Sequence, residues 1–303
     1  MIRKILSAIK NPKLIILYIL RFRIFRLIPD PLYIKIKYKL IMNKSLNLDN
    51  PKTFNEKIQW LKLYDRNPKY TQLVDKWEVR KYISKKIGKE YLIPVIGVYN
   101  SFDEIDFDSL PNQFVLKPNH TSGDVYICKD KSKINFKALK KQVKRWLKKE
   151  YYWIHREYPY KTVKPRIICE KYMVDESGVE LKDYKFFCFN GKPKCILVGL
   201  NRHSPTGLNI DFYDMDWNQM PFERQYPRSG KIIPKPKSFD KMVKFAELLS
   251  KDIAFVRVDF YEVAGHPYFG ELTFYPASGY GEFNPESYDE LLGSWIQLPT
   301  QNV

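Results

Sequence analysis

The stretch FVRVDFYEVAGHPYFGELTF, residues 255–274, reads as two β-strands joined near Gly265. β-Branched and aromatic residues alternate with polar ones on either side of an Ala-Gly pair, which is the pattern of a hairpin. Arg257 and Asp259 stand two apart on the first strand, Glu271 and Thr273 two apart on the second. A period of two puts each pair on one face. Antiparallel pairing then brings Asp259 and Glu271 together across the sheet. Two carboxylates amid apolar strands repel unless a cation lies between them. Magnesium is the hard cation that suits such oxygens and nucleotide phosphates. Asp259 and Glu271 are therefore candidate metal ligands. Arg257 is a candidate for steadying negative charge that develops in a transition state. The plain alternative is a polar sheet face paired with nearby lysines.

Three upstream clusters extend the reading. In FVLKPNHTSGDVYI, residues 114–127, a strand delivers Lys117 to a polar loop. Such a lysine can hold nucleotide phosphates, with loop N–H groups at Ser122 and Gly123 as further donors. The alternative is an ordinary hairpin with a surface lysine. In IICEKYM, residues 167–173, an apolar strand ends in Glu170, Lys171, Tyr172 and Met173. A strand end of this kind offers backbone groups to an adenine edge and an apolar wall beside it. In KDYKFFCFNG, residues 182–191, Asp183 and Lys185 share one strand face, where a carboxylate suits ribose hydroxyls and a lysine suits phosphates. Each cluster alone is also what an ordinary edge strand shows. Their order supplies the parts of one Mg-ATP site: lysine loop, adenine edge, ribose and phosphate strand, carboxylate hairpin.

Around these clusters the 303-residue chain alternates strand pairs with helical stretches, so the expected class is α+β with antiparallel sheets and flanking helices. Helical spacing is read at 54–64, 70–87, 136–150 and 238–252. Asn190-Gly191 joins two strands as a hairpin turn. The composition is 44% hydrophobic and 16% aromatic, enough for a large core, with the aromatics serving packing or ligand stacking.

Charge is uneven. The net charge is +18, and residues 1–50 hold eleven Lys/Arg against two Asp, which is half the excess. Residues 1–45 alternate basic and large apolar side chains. This suits a helical arm on an anionic membrane surface, or equally an arm packed on its own domain. The apolar run at 14–20 is too short to span a bilayer, and no secretory cleavage pattern follows it. Cys128, Cys169, Cys188 and Cys195 lie in apolar strand-like runs without Cys-x-x-Cys spacing, so buried free thiols and a reducing cytoplasmic setting are expected. No RNA- or DNA-binding signature is present, and nucleic acid is not an expected partner.

The phrases NPKTFNEKIQWLKLYDRNP (50–68), LVDKWEVRKYI (73–83), DYKFFCFNG (183–191) and GELTFYPASGYGEFNPE (270–286) resemble the ATP-grasp superfamily. Within it they are similar to the TupA-like branch associated with cell-surface polysaccharide biosynthesis. The resemblance covers about residues 48–300. It implies an ATP-grasp-like fold with a helical subdomain at 48–111 and a nucleotide- and metal-binding domain at 112–303, preceded by the basic arm at 1–47 that the charge pattern marks. It implies Lys76 and Lys117 as phosphate lysines, Glu170 to Met173 as the adenine hinge, and Asp183 as the ribose acid. Asp259 and Glu271 become magnesium ligands, with Thr273 where the superfamily often has Asn, and Arg257 faces an acyl phosphate. His120, Arg156, Tyr275, Ser278 and Tyr280 are candidate substrate contacts. The implied chemistry is ATP-driven joining of a carboxylate to an amine, on a small-molecule or glycan substrate, with ATP and Mg2+ as cofactors. It is set in the cytoplasm or on the inner face of the plasma membrane. The alternative is a glycosyltransferase, for which Asp214 and Asp216 in FYDMDWN form an Asp-x-Asp motif.

Overall fold

The computed structural model describes residues 12–176, 178, 181–200 and 207–300. The basic arm is helical in pieces: α1 (Pro12–Ile19), a 3-10 turn (Arg23–Leu27) and α2 (Asp30–Met42). Tyr33, Ile34, Tyr38 and Met42 of α2 are buried in the main core, whereas Leu14, Tyr18, Ile24 and Leu27 are exposed. Helix α3 (Phe54–Tyr64) starts at a capping box, in which Thr53 and Glu56 each accept the other's backbone N–H.

The single helix expected over 70–87 is two, α4 (Lys69–Val74) and α5 (Val79–Lys86). The break has a local cause. The Asp75 carboxylate accepts the N–H groups of Trp77 (2.8 Å) and Glu78 (3.2 Å). It competes with helical bonding and starts a new N-terminus. The break leaves Lys76 outside both helices.

The strands form two antiparallel sheets. In chain order they are β1 (Val95–Tyr99), β2 (Phe114–Pro118), β3 (Tyr126–Cys128), β4 (Ile167–Lys171), β5 (Asp183–Phe189), β6 (Lys192–Leu200), β7 (Asn209–Tyr213), β8 (Gln219–Met220), β9 (Glu223–Arg224), β10 (Phe255–Val263), β11 (His266–Thr273) and β12 (Phe283–Asn284). The smaller sheet runs β1-β4-β2-β3, and the larger runs β11-β10-β5-β6-β7-β8. A short β9-β12 pair stands apart. The remaining helices are α6 (Phe136–Leu147), α7 (Tyr152–His155), α8 (Phe239–Ser250) and α9 (Ser287–Ser294).

Each sheet buries one face under a helix. Leu139, Val143 and Trp146 of α6 pack with Phe114, Leu116, Ile167 and Cys169 of the smaller sheet. Phe239, Met242, Ala246 and Leu249 of α8 join the core with Phe186, Val258 and Phe260 of the larger sheet. The opposite face of the larger sheet takes α3. The Phe54 ring lies 4.9 Å from Phe255, 6.1 Å from Phe187 and 6.2 Å from Phe189, centroid to centroid. On β5 the period of two puts Asp183 and Lys185 on this same face as Phe187 and Phe189. The face is therefore aromatic at one end and charged at the other. All four cysteines are buried and free.

Residues 48–111 divide between the two cores. Helices α3 to α5 contribute to the core of the larger sheet, while β1 pairs with β4 in the smaller one.

Candidate active site

The hairpin of 255–274 turns through Ala264 (φ 51°) and Gly265 (φ 75°), both left-handed as a tight two-residue turn requires. Its register pairs Asp259 with Glu271 and Arg257 with Thr273. A bulge follows Asp259, with Gly270 as the extra residue. A side chain there would meet the Asp259 carbonyl and the Tyr261 ring at 3.1 Å, so glycine at 270 lets the strands come close without displacing either. On the other side β10 pairs with β5, and Asp259 lies opposite Lys185.

These residues form one bonded row. Arg257 donates from Nε to Asp259 Oδ1 (2.7 Å) and from NH2 to Asp259 Oδ2 (2.6 Å), Glu271 Oε1 (3.0 Å) and Thr273 Oγ1 (3.0 Å). Lys185 Nζ reaches Asp259 Oδ2 at 2.8 Å and Asp183 Oδ1 at 3.3 Å. Thr273 donates to Glu271 Oε1 at 2.9 Å. The cation between the paired carboxylates is thus Arg257 itself. Asp259 is 1% exposed, whereas the Glu271 side chain keeps 32% of its surface open.

The smaller sheet supplies a second charged pair. On β2 and β4, the face away from α6 carries Lys117 and Glu170, which meet at 2.7 Å. The Glu170 side chain is therefore engaged by Lys117, and the strand end beyond it, Lys171 to Met173, leaves Tyr172 and Met173 half-buried. The Lys117 loop has two halves. Asn119, His120 and Thr121 are buried, while Ser122 and Gly123 are exposed, with Gly123 at φ 78°. Asn119 holds the root, accepting from Arg166 N (2.7 Å) and donating to the Lys164 carbonyl (2.9 Å). His120 Nδ1 lies 3.2 Å from Asn119 Oδ1. Asp124 beside the loop is neutralised by Lys149 at 2.7 Å.

Lys76 joins the two sheets. Its N–H donates to the Asn119 carbonyl (3.1 Å) and its ammonium to the Thr121 carbonyl. Burial lowers its pKa, against the pull of Glu271 and Glu170. In return, burial alone would raise the Glu271 carboxyl, but Lys76, Arg257 and Lys185 together hold it down at about 2. Burial would strip the Arg257 proton more easily, and Asp259 and Glu271 more than reverse that. Arg257 and Glu271 are therefore both charged at neutral pH.

Hard carboxylate oxygens from neighbouring strands suit magnesium, which commonly takes one or two carboxylates and completes its shell with phosphate oxygens and water. Among the described residues no group of three or more His, Cys, Asp or Glu side chains is placed to hold a metal unaided. Two carboxylates with nucleotide phosphates would fit. Binding there requires Arg257 or Lys185 to release part of its hold.

The other expected contacts lie elsewhere. Arg156 is 2% exposed and packs against the arm. It bonds the Phe25 carbonyl (3.1 Å), pairs with Asp30 (3.3 Å) and stacks 4.4 Å over Tyr33. Tyr275, Ser278 and Tyr280 are buried around a loop whose residues 277–279 are all left-handed. Asp214 of the Asp-x-Asp motif is spent on its own turn, accepting from Asp216 N (3.0 Å) and Asn218 N (2.8 Å).

Sequence reading missed two sets of residues. Asn55, Gln59 and Lys62 recur along α3 at helical spacing and look like a solvent face, yet all are 0% exposed. They grip the carbonyls of Gly281, Gly279 and Ser278 at 2.6–2.9 Å. The second is Arg224, brought in by the β9-β12 pairing with Phe283 and Asn284. No local signal marks either set, because each is defined by a partner far along the chain.

Two antiparallel sheets with a charged row on the larger one make an α+β fold. The chain belongs to the TupA-like ATP-grasp family, whose model matches residues 56–297. None of the curated proteins compared matches it. Among solved structures it is similar to a D-alanine–D-alanine ligase from Bacillus anthracis complexed with ATP. There the identity is 18% and the TM-score 0.44, over 74% of this chain and 65% of that one. It is also similar to the Helicobacter pylori D-alanine–D-alanine ligase (13%, TM-score 0.41, 80% and 69%). A third is the ATP-grasp ligase PsnB with minimal precursor, Mg and ADP (11%, TM-score 0.37, 72% and 57%). The chain thus spans less than two thirds of the first and third of these proteins.

Proposed function

We propose that this chain is an ATP- and magnesium-dependent ligase that joins a carboxylate to an amine. The observation that carries the reading is the Asp259–Glu271 pair, set opposite each other on β10 and β11 and held by Arg257 and Lys185. Family membership supports it. In this reading Lys76 and Lys117 hold ATP phosphates, with the Ser122-Gly123 loop over them. The 170–173 strand end takes the adenine, and Asp183 takes the ribose. Asp259 and Glu271 would hold the magnesium that accompanies ATP, which offsets phosphate charge. A substrate carboxylate oxygen attacks the γ-phosphorus and ADP leaves. Arg257 faces the acyl phosphate so formed and steadies its charge. The amine nitrogen then attacks the acyl carbon, phosphate departs and the nitrogen loses a proton.

We place the product in surface polysaccharide synthesis on the family resemblance alone. We also propose that the arm rests on the anionic inner face of the plasma membrane, which its exposed apolar side chains and excess of cations support. Among the described residues no helix is long and apolar enough to cross a membrane.

The test is isothermal titration of the purified protein with a non-hydrolysable ATP analogue, with and without magnesium, beside Glu271→Gln. Magnesium-dependent binding that the variant loses is expected. Equal binding by both proteins with and without the metal would refute the assignment.

A further inference from the structure

Beside the charged row lies a cavity of about 220 Å3. Its floor is the α3-facing side of β5, β6 and β7, and its roof comes from β9 and the 277 loop. Lys185, Arg224 and Arg257 line it together with Leu197, Leu208 and Ile210. Two of these cations are satisfied. Lys185 has Asp183 and Asp259, and Arg257 has Asp259 and Glu271.

Arg224 is different. It is 4% exposed, and its hydrogen bond runs from NH2 to the Pro276 carbonyl at 3.2 Å. Its Nε is buried with no hydrogen-bond partner. Its guanidinium stacks near Phe54 (5.5 Å) and Phe283 (5.1 Å). Among the described residues no carboxylate lies within ion-pair distance of it. The acid that acts on it from further off, Asp289, has both oxygens taken by Asn55, each at 2.9 Å. A buried charge without a counter-ion costs stability, and an anionic ligand would offset that cost.

Size sharpens the point. The cavity equals about seven waters at roughly 30 Å3 each. It falls below the roughly 300–1,000 Å3 of pockets that take drug-sized ligands. Leu197, Leu208 and Ile210 give it an aliphatic wall, with Gln225 as the uncharged polar side chain in its lining.

We propose that this cavity binds the carboxylic acid to be activated. The acid is a compact aliphatic one of amino-acid size, its carboxylate between Arg224 and Arg257 and its carbon body against Leu197, Leu208 and Ile210. This rests on the ligase reading and narrows its substrate to small aliphatic acids.

The test measures binding of isovalerate and of D-glucuronate to the full chain by calorimetry, alongside the magnesium-ATP-analogue titration. Arg224→Met keeps the bulk and removes the charge. Wild type is expected to bind isovalerate and not D-glucuronate. Arg224→Met is expected to lose about thirtyfold or more in isovalerate affinity, as when one partner of a buried charge pair is truncated, and to keep the nucleotide affinity. Without acid, Arg224→Met should melt higher than wild type, because an uncompensated charge is gone. Gly199→Ala is the second variant. Its new methyl would stand 3.5 Å from Leu208 Cδ1, an ordinary contact, so the fold is kept while the cavity shrinks and isovalerate weakens. Absence of isovalerate binding, equal binding of D-glucuronate, or a lower melting point of Arg224→Met would each overturn the proposal. Acid binding with no nucleotide binding would instead overturn the ligase reading and leave the cavity assignment standing.

Discussion

Lys37 carries a prediction whose size depends on pH. It sits on α2, is 4% exposed, and donates to the Ile154 carbonyl, with the Tyr33 and Tyr280 rings at 5.7 and 5.9 Å. Burial, reinforced by the charge of Lys62, lowers its pKa from 10.5 to about 7. Between those values the unfolded chain holds the proton and the folded chain does not, so stability rises with pH across the window at about 1.4 kcal/mol per pH unit. Below pH 7 the full cost of the buried ammonium is present, on the order of 4–5 kcal/mol. Lys37→Met removes that cost and forfeits one hydrogen bond, worth about 1 kcal/mol. The variant should therefore be the more stable protein at pH 6, and the difference should shrink steadily toward pH 9. Buried cysteines and tyrosines, whose ionisation the fold suppresses, pull stability down at higher pH, but equally in both proteins. The assay is urea denaturation of both proteins at several pH values, read as the difference in unfolding free energy. A difference that stays constant with pH would refute the assignment of a neutral buried amine.

Two further outcomes are expected. Asp259→Asn should destabilise the fold by about 3 kcal/mol, the low end for a broken buried pair, because Glu271 and Asp183 still hold Arg257 and Lys185. Glu271→Gln, on a partly exposed side chain, should cost under about 1 kcal/mol, and chemical denaturation giving the reverse ranking would sink the account of the row. Replacing exposed Leu14, Tyr18, Ile24 and Leu27 together by serine should abolish co-sedimentation with phosphatidylglycerol vesicles and leave the melting temperature unchanged. Undiminished co-sedimentation would end the membrane reading of the arm. Truncating residues 1–45 cannot serve here, since Tyr33, Ile34 and Tyr38 belong to the core.

Much of the candidate site's charged row was legible because it is written at strand spacing. Asp183 with Lys185, Arg257 with Asp259, and Glu271 with Thr273 each stand two apart, and a strand converts that spacing into a shared face whatever surrounds it. The Ala264-Gly265 turn by itself would set Asp259 opposite Gly270, and the bulge at Gly270 shifts the register by one residue and places Asp259 against Glu271. Lys76 was legible only through family resemblance. Its position depends on Asp75 breaking a helix that periodicity alone reads as continuous.

The sequence by itself determined the α+β class, the hairpins, the charged strand faces and the basic arm. All of these follow from local propensity and a period of two or of 3.6. Tertiary structure alone decided that Arg257 is the cation between the paired carboxylates, and that Asn55, Gln59 and Lys62 face inward to hold a left-handed loop. It also bonded Arg156 to the arm, and placed Arg224 beside an aliphatic cavity with no ion-pair partner among the described residues. A side chain's partners are set by which distant strands and helices share its surface, and one residue's neighbours along the chain carry no record of that.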